Sequence, residues 1–238
     1  MTASVTTFPL LSFASRPAAE AALADALEAA VREAHALGRR ARMALSGGSS
    51  PEPAYRAFAA KDLNWSQVDI ALVDDRWVDL DHPGSNQAMI ERAFAPAKGV
   101  TIFGMKLPTE SPKQAEAELD LVYRVLRPFD AIVLGMGPDA HTASWFPASP
   151  DLAACLDPTS SATVLAIDAS LAPVAAPYSE RMTMTLPVVS EAQQILILLF
   201  GAEKKQILQQ ALDAPVTHAP IKAAIEATGA RCVALWAD

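Results

Sequence analysis

The 238-residue chain is short of charge, of aromatic rings and of cysteine. Charged residues are 19% and aromatics 6%, while hydrophobic residues reach 51%, so the core has to be built mainly from Ala, Leu, Val and Ile. That is the usual filling of an α/β protein, and it excludes disordered, collagen-like and disulfide-scaffold classes. No lysine- or arginine-rich run occurs, and 19 basic against 27 acidic residues leave a net charge of -8. The basic footprint of a nucleic-acid binder is therefore missing. The two cysteines, Cys155 and Cys232, stand far apart without a C-x-x-C context and read as buried free thiols in a reducing compartment. Met1 to Ser15 has neither the basic start nor the apolar run of a signal peptide. The longest apolar stretch, Ile195 to Phe200, is too short to span a membrane. The expectation is a soluble cytoplasmic protein with no nucleic-acid or membrane partner.

What is present is a regular alternation of strands and helices. Ser15 can cap a helix with Pro17 in its first turn; Leu23, Leu27, Ala30, Val31 and Ala34 recur at helical spacing, and Gly38 ends it. Strands are expected at Arg42 to Leu45, Val68 to Val73, Val100 to Phe103, Phe129 to Leu134, Ala162 to Ile167, Met182 to Leu186, Ile195 to Phe200 and Cys232 to Trp236. Helices are expected at Pro51 to Ala60, Ser85 to Ala95, Glu203 to Leu212 and Pro220 to Ala227. Another should run from the capping-box start Ser111-Pro112-Lys113-Gln114 to about Leu126. Pro147 to Tyr178, rich in Pro, Ser and Ala, is the least regular part. Strands apolar on both faces and alternating with helices imply a mostly parallel sheet covered on both sides. Residues 1–238 read as a single α/β domain, with room for a small insert.

In open α/β sheets ligands bind beyond the carboxyl ends of the strands. Four polar segments fall there: Ser46-Gly47-Gly48-Ser49-Ser50-Pro51, Asp74-Asp75-Arg76, Gly135 to Thr142, and Gly201-Ala202-Glu203-Lys204. The first joins two glycines, two serines and a helix start, a combination that suits a phosphate. By itself it is also an ordinary strand-to-helix turn, and no Gly-Lys-Ser/Thr follows to make it a Walker A loop. Gly135-x-Gly137-x-x-Ala140 formally meets a permissive dinucleotide fingerprint. Pro138 removes a donor, however, Asp139 would oppose a pyrophosphate, and no acidic residue ends a strand about 20 residues on.

His141 alone among the histidines has a carboxylate two residues away in a glycine-flanked loop. His35 and His218 read as surface residues and His82 as a loop residue. No histidine pair has zinc spacing, so no metal is expected. A G-x-S-x-G elbow is absent, against a serine hydrolase. Arg181 and Lys204, each an ordinary solvated cation when taken singly, are the local positive charges that an anion-binding protein of net charge -8 requires.

Together these segments resemble the 6-phosphogluconolactonase family across nearly the whole chain. The long block Gly135-Met136-Gly137-Pro138-Asp139-Ala140-His141-Thr142-Ala143-Ser144-Trp145-Phe146-Pro147 is the most specific. Ser46 to Pro51, Asp74-Asp75-Arg76-Trp77-Val78, Ser85-Asn86, Arg181-Met182-Thr183-Met184-Thr185 and Gly201 to Lys204 support it. The resemblance implies a Rossmann-like fold shared with glucosamine-6-phosphate deaminase, no cofactor and no metal. The implied activity is hydrolysis of 6-phospho-D-glucono-1,5-lactone in the oxidative pentose phosphate pathway, by a monomer or a homodimer. It implies His141 as base toward water, Asp139 as its orienting partner, and Asp74 as a ligand for sugar hydroxyls or an organiser of the loop. Gly47, Gly48, Ser49, Arg181 and Lys204 fall to the phosphate, with Arg76 and Asn86 lining the pocket. Arg76 or backbone N–H groups are candidates for the oxyanion.

Two departures from the family stand out: Asp75 where Glu is usual, and Ala140 where Gly nearly always precedes the histidine. At a positive φ, alanine costs roughly 1 kcal/mol, and Ala140→Gly would stabilise the protein by up to about that much. Two other readings differ in kind. A glucosamine-6-phosphate deaminase carries a further catalytic Glu soon after its histidine, where this chain has Ser144-Trp145-Phe146-Pro147. A non-catalytic sugar-phosphate sensor is commonly joined to a DNA-binding helix-turn-helix, for which this chain is expected to have no room.

Overall fold

A computed structural model describes residues 8–238; the first seven residues of the segment read as lacking a signal peptide lie outside the described residues. The chain runs β1 (Leu10–Ser12), α1 (Arg16–Ala36), β2 (Ala41–Leu45), α2 (Glu52–Ala59), β3 (Val68–Leu72), β4 (Asp74–Arg76), α3 (Asn86–Ala93), β5 (Thr101–Phe103) and α4 (Pro112–Arg124). It continues with β6 (Ala131–Leu134), α5 (Leu152–Leu156), β7 (Val164–Asp168), β8 (Glu180–Met184), α6 (Leu186–Glu191), β9 (Gln194–Phe200), α7 (Ala202–Asp213), α8 (Pro220–Thr228) and β10 (Cys232–Ala237).

Seven strands form one sheet in the order β1-β10-β9-β6-β2-β3-β5, and every recorded pairing in it is parallel. β3 and β6 are buried at every position. Successive side chains of a strand point to opposite faces, so this is possible only if both faces are covered. The α/β class and the mostly parallel sheet expected from the sequence are therefore what the chain forms. Ser15 does cap α1, accepting from Ala18 N–H at 3.3 Å, and Gly38 at φ +70 ends it. The α4 capping box forms only in part: Ser111 makes no side-chain cap bond, while Gln114 accepts from Glu110 N–H at 3.1 Å. No described helix is long and apolar enough to cross a membrane. Cys155 and Cys232 are free and buried, and burial pushes both thiols up to about 12.

A second sheet, β4-β8-β7, is antiparallel and was not expected. Asp74-Asp75-Arg76 is thus a short strand rather than a loop, and β7 and β8 do not extend the parallel sheet. Val73 joins the two layers. Its N–H donates to Leu45 C=O in the large sheet (3.0 Å), and its C=O accepts from Met184 N–H in the small one (2.8 Å). The small sheet consequently stands at the carboxyl ends of β2 and β3, and one buried hydrophobic cluster runs through both sheets. The apolar-polar alternation of β8 suggests one wet face, yet Thr183 and Thr185 are fully buried, each donating its hydroxyl to a backbone carbonyl.

Candidate active site

The four polar segments end β2, β3, β6 and β9, which are consecutive neighbours in the order β9-β6-β2-β3. From β2 the chain proceeds outward to β3 and β5, then returns to β6 on the other side of β2. Between β2 and β6 the winding reverses, and such a point opens a crevice at the strand ends. A cleft of about 320 Å³ lies there, lined by Gly47, Gly48, Ser49, Asp74, Arg76, Asn86, His141, Arg181 and Lys204, with Met136, Leu198 and Phe200 among its apolar walls. Of the residues given a site role from the sequence only Asp139 does not line it. Asp139 stands behind His141.

The histidine loop is bent tightly. Gly137 N–H donates to His141 C=O (2.9 Å) and Ala140 N–H to Gly137 C=O (3.2 Å), which puts Ala140 at φ 59. Ala143 follows at φ 50. Both are left-handed conformations that disfavour a side chain. No helix opens after Ala140, as a dinucleotide-binding turn would need; the next is α5. A Cβ on Gly137 would sit 2.1 Å from the His141 ring, so only glycine lets the ring lie there. The ring rests on Phe146, centroids 4.4 Å apart, and its Nδ1 is 2.5 Å from Asp139 Oδ1. Burial alone would raise the Asp139 carboxyl, but the His141 hydrogen bond and charge outweigh it and hold it below the usual range. With Nδ1–H given to a carboxylate, Nε2 is the free basic nitrogen.

The cations are held by backbone. Arg181 is 5% exposed and donates Nε to Tyr178 C=O (2.7 Å) and Nη2 to Ala175 C=O (3.1 Å). Its Nη1 is left over, 3.9 Å from Asp74 Oδ2. Burial lowers the guanidinium to about 10, against the pull of Asp74, so it stays charged at neutral pH. Lys204, in the first turn of α7, donates to Met136 C=O (2.7 Å), and burial lowers its pKa. Arg76 donates Nη1 to Gly84 C=O (2.8 Å) and lies over the Tyr178 ring, while its Nε is buried without a partner. Asn86 donates Nδ2 to Asp74 C=O (2.9 Å), and its Oδ1 fills the space that a Cβ on Gly47 would need. Gly48, at φ +103, turns the chain toward α2.

Two residues were given no role by the sequence reading. Ser144 donates its hydroxyl to Asp74 Oδ2 at 2.6 Å, tying the histidine loop to the small sheet. Asp75 lies on the opposite side of β4 from Asp74 and Arg76 and accepts backbone N–H groups. Strand alternation in Asp74-Asp75-Arg76 would have separated the two carboxylates. No group of three or more His, Cys, Asp or Glu able to hold a metal occurs among the described residues.

Comparison with known proteins finds relatives along most of the chain. A 6-phosphogluconolactonase of Pseudomonas putida is 36% identical over 214 residues, covering 84% of this chain and 86% of the relative. The crystal structure of a 6-phosphogluconolactonase from Shewanella baltica superposes with a TM-score of 0.87 at 31% identity, covering 98% of this chain and 99% of that one. A monomeric glucosamine-6-phosphate deaminase shares the fold, with a TM-score of 0.77 at 15% identity over 97% of each chain. The profile described as "Glucosamine-6-phosphate isomerases/6-phosphogluconolactonase" matches residues 14–233, and the chain belongs to that family.

Proposed function

We propose that the protein is a 6-phosphogluconolactonase, hydrolysing 6-phospho-D-glucono-1,5-lactone to 6-phosphogluconate. The observation that carries the reading is the His141–Asp139 pair, with its free Nε2 in a cleft that also holds Arg181 and Lys204. In this scheme His141 Nε2 takes a proton from water as the water oxygen attacks the lactone carbonyl. The tetrahedral intermediate collapses with cleavage of the bond to the ring oxygen, which receives that proton from the imidazolium. Asp139 keeps the ring oriented and stabilises its charged form. Arg181, Lys204 and Ser49, with the Gly47-Gly48 turn at the start of α2, take the phosphate. Arg76 and Asn86 line the sugar. Asp74, bonded by Ser144, holds Arg181 in place and accepts from sugar hydroxyls.

The deaminase reading is disfavoured by the cleft itself. Among the described residues Asp74 is the only carboxylate lining it, and the stretch after His141 buries Trp145 and Phe146 instead. In this reading residues 1–238 are one catalytic unit, acting as a monomer or a homodimer.

The test is hydrolysis of freshly generated 6-phosphogluconolactone, corrected for spontaneous opening, beside unphosphorylated gluconolactone and glucosamine 6-phosphate. Rapid opening of the phosphorylated lactone, poor use of the other lactone and no ammonia release are expected. Equal efficiency on both lactones would discard the phosphate assignment, and ammonia release would favour the deaminase.

A further inference from the structure

We propose that Asp75, which does not touch the cleft, is a positioning residue for its substrate-binding wall: its buried carboxylate clips the backbones of Arg76, Asn86 and Gln87 together and so sets where Arg76 and Asn86 stand. The inference rests on the lactonase reading of the cleft.

Asp75 is 2% exposed, and its two oxygens accept three backbone N–H groups. Oδ1 takes Arg76 N–H and Asn86 N–H, both at 2.8 Å, and Oδ2 takes Gln87 N–H at 3.1 Å. Asn86 and Gln87 open α3, whose first N–H groups have no partner within the helix. The bond thus spans from β4 across residues 77–85 to a helix start. At each end a neighbouring side chain enters the cleft: Arg76 on one side, and on the other Asn86, which in turn holds Asp74 C=O and packs on Gly47. One carboxylate outside the cleft therefore ties together four of the residues that line it.

A simple helix cap does not explain the arrangement, because α3 already has one. Ser85 caps it in the ordinary way, its Oγ accepting from Ala88 N–H at 3.1 Å. The ionised form is the one the geometry needs, since all three partners are donors and a protonated carboxyl would have to donate. Burial opposes that form and pushes the group up to about 6, with Asp74 adding repulsion and the three N–H groups pulling back. Arg76, Arg181 and the Tyr123 phenol are the other titratable groups near it.

The test compares Asp75→Asn with Ser85→Ala, measuring Tm, KM and kcat on the phosphorylated lactone. Asparagine keeps the size but turns an N–H donor either toward Gln87 N–H, losing that bond, or toward Arg76 N–H and Asn86 N–H, losing both. KM should rise about tenfold with kcat little changed, the loss of one charge-assisted bond. Ser85→Ala should lower Tm without moving KM. Asp75→Glu keeps the acceptor but lengthens it, and its KM should lie between wild type and Asp75→Asn. If Asp75→Asn is not recovered folded, the Glu variant decides alone: a raised KM at native kcat supports the role, and a native KM overturns it. A native KM in Asp75→Asn, or an equal KM rise in Ser85→Ala, overturns it. Absence of turnover in the wild type would instead overturn the lactonase reading, so the two failures are distinct.

Discussion

Asp139→Asn is the sharpest probe of the catalytic pair. The carboxylate is 2.5 Å from His141 Nδ1 and also accepts His141 N–H at 3.3 Å, while Gly137 and Phe146 confine the ring. Asparagine preserves the shape and can still accept through Oδ1, so the fold and the cleft should survive. What it removes is the negative charge facing the imidazolium that forms when water is deprotonated. A hydrogen bond to a charged partner contributes about 1.5–3 kcal/mol, which corresponds to a fall in kcat of about 10- to 150-fold if it is felt in the transition state. KM should change little, because none of the phosphate contacts involves Asp139. His141→Asn should cost about 10²- to 10⁴-fold, and the double variant should be no worse than His141→Asn alone, because Asp139 acts only through the ring. The assay is hydrolysis of fresh lactone at fixed pH with a no-enzyme blank. A native kcat in Asp139→Asn would refute the pairing argument. A double variant that loses the product of the two single effects would show that the residues act independently.

The parallel sheet was legible because strands buried on both faces appear as apolar runs, and β6 and β9 are such runs. Their carboxyl ends were legible because glycine and polar residues interrupt the runs at Ser46, Gly135 and Gly201. The residues expected at the cleft came together for that reason, even though their partners could not be known. The small sheet left no such trace. β4 is three residues long and wholly polar, so its strand character comes only from pairing with β8, which lies far along the chain. α6 hid in Leu186-Pro187-Val188-Val189, where Pro187 suits a first turn but the β-branched valines oppose helix by propensity, and tertiary packing overrides them. Asp75 was lost with β4. Read as a loop, Asp74-Asp75-Arg76 is one polar patch; read as a strand, it is two residues, Asp74 and Arg76, facing the cleft and one, Asp75, bonded to the start of α3. The same error concealed Ser144, whose role exists only because Asp74 belongs to the small sheet.

Gly137→Ala should abolish most activity in a protein that remains folded, because the new Cβ meets the His141 ring at 2.1 Å; circular dichroism with the lactone assay checks it, and a native rate would mean that the ring can move freely. Arg181→Ala and Lys204→Ala should mainly raise KM, each removing a charge-assisted contact worth about 1.5–3 kcal/mol, whereas a loss confined to kcat would move the phosphate elsewhere. Asp75 and Asp139 should act oppositely on stability against pH. Asp139, held low, stabilises above its ordinary pKa of 3.8, and the gain is lost as pH falls through its folded value; Asp75, raised from 3.8 to about 6, stabilises most below 3.8 and loses that as pH rises through about 6. Urea midpoints should show wild type losing up to about 3 kcal/mol relative to Asp75→Asn between the two limits, and a pH-independent gap would refute the shift. Ala140→Gly is the last case, and its φ of 59 meets the condition for a gain. Relief of a left-handed alanine is worth about 1–2 kcal/mol, but the freer unfolded chain takes back about 0.4–1. The Ala140 side chain is also only 6% exposed, so deleting its buried methyl costs about 0.8 kcal/mol more. These nearly cancel, and the expected change is within about 1 kcal/mol of zero, smaller than φ alone implies. Ala143→Gly, at φ 50 with a half-buried methyl, should stabilise more than Ala140→Gly. The reverse order in urea would show that methyl burial does not set the balance.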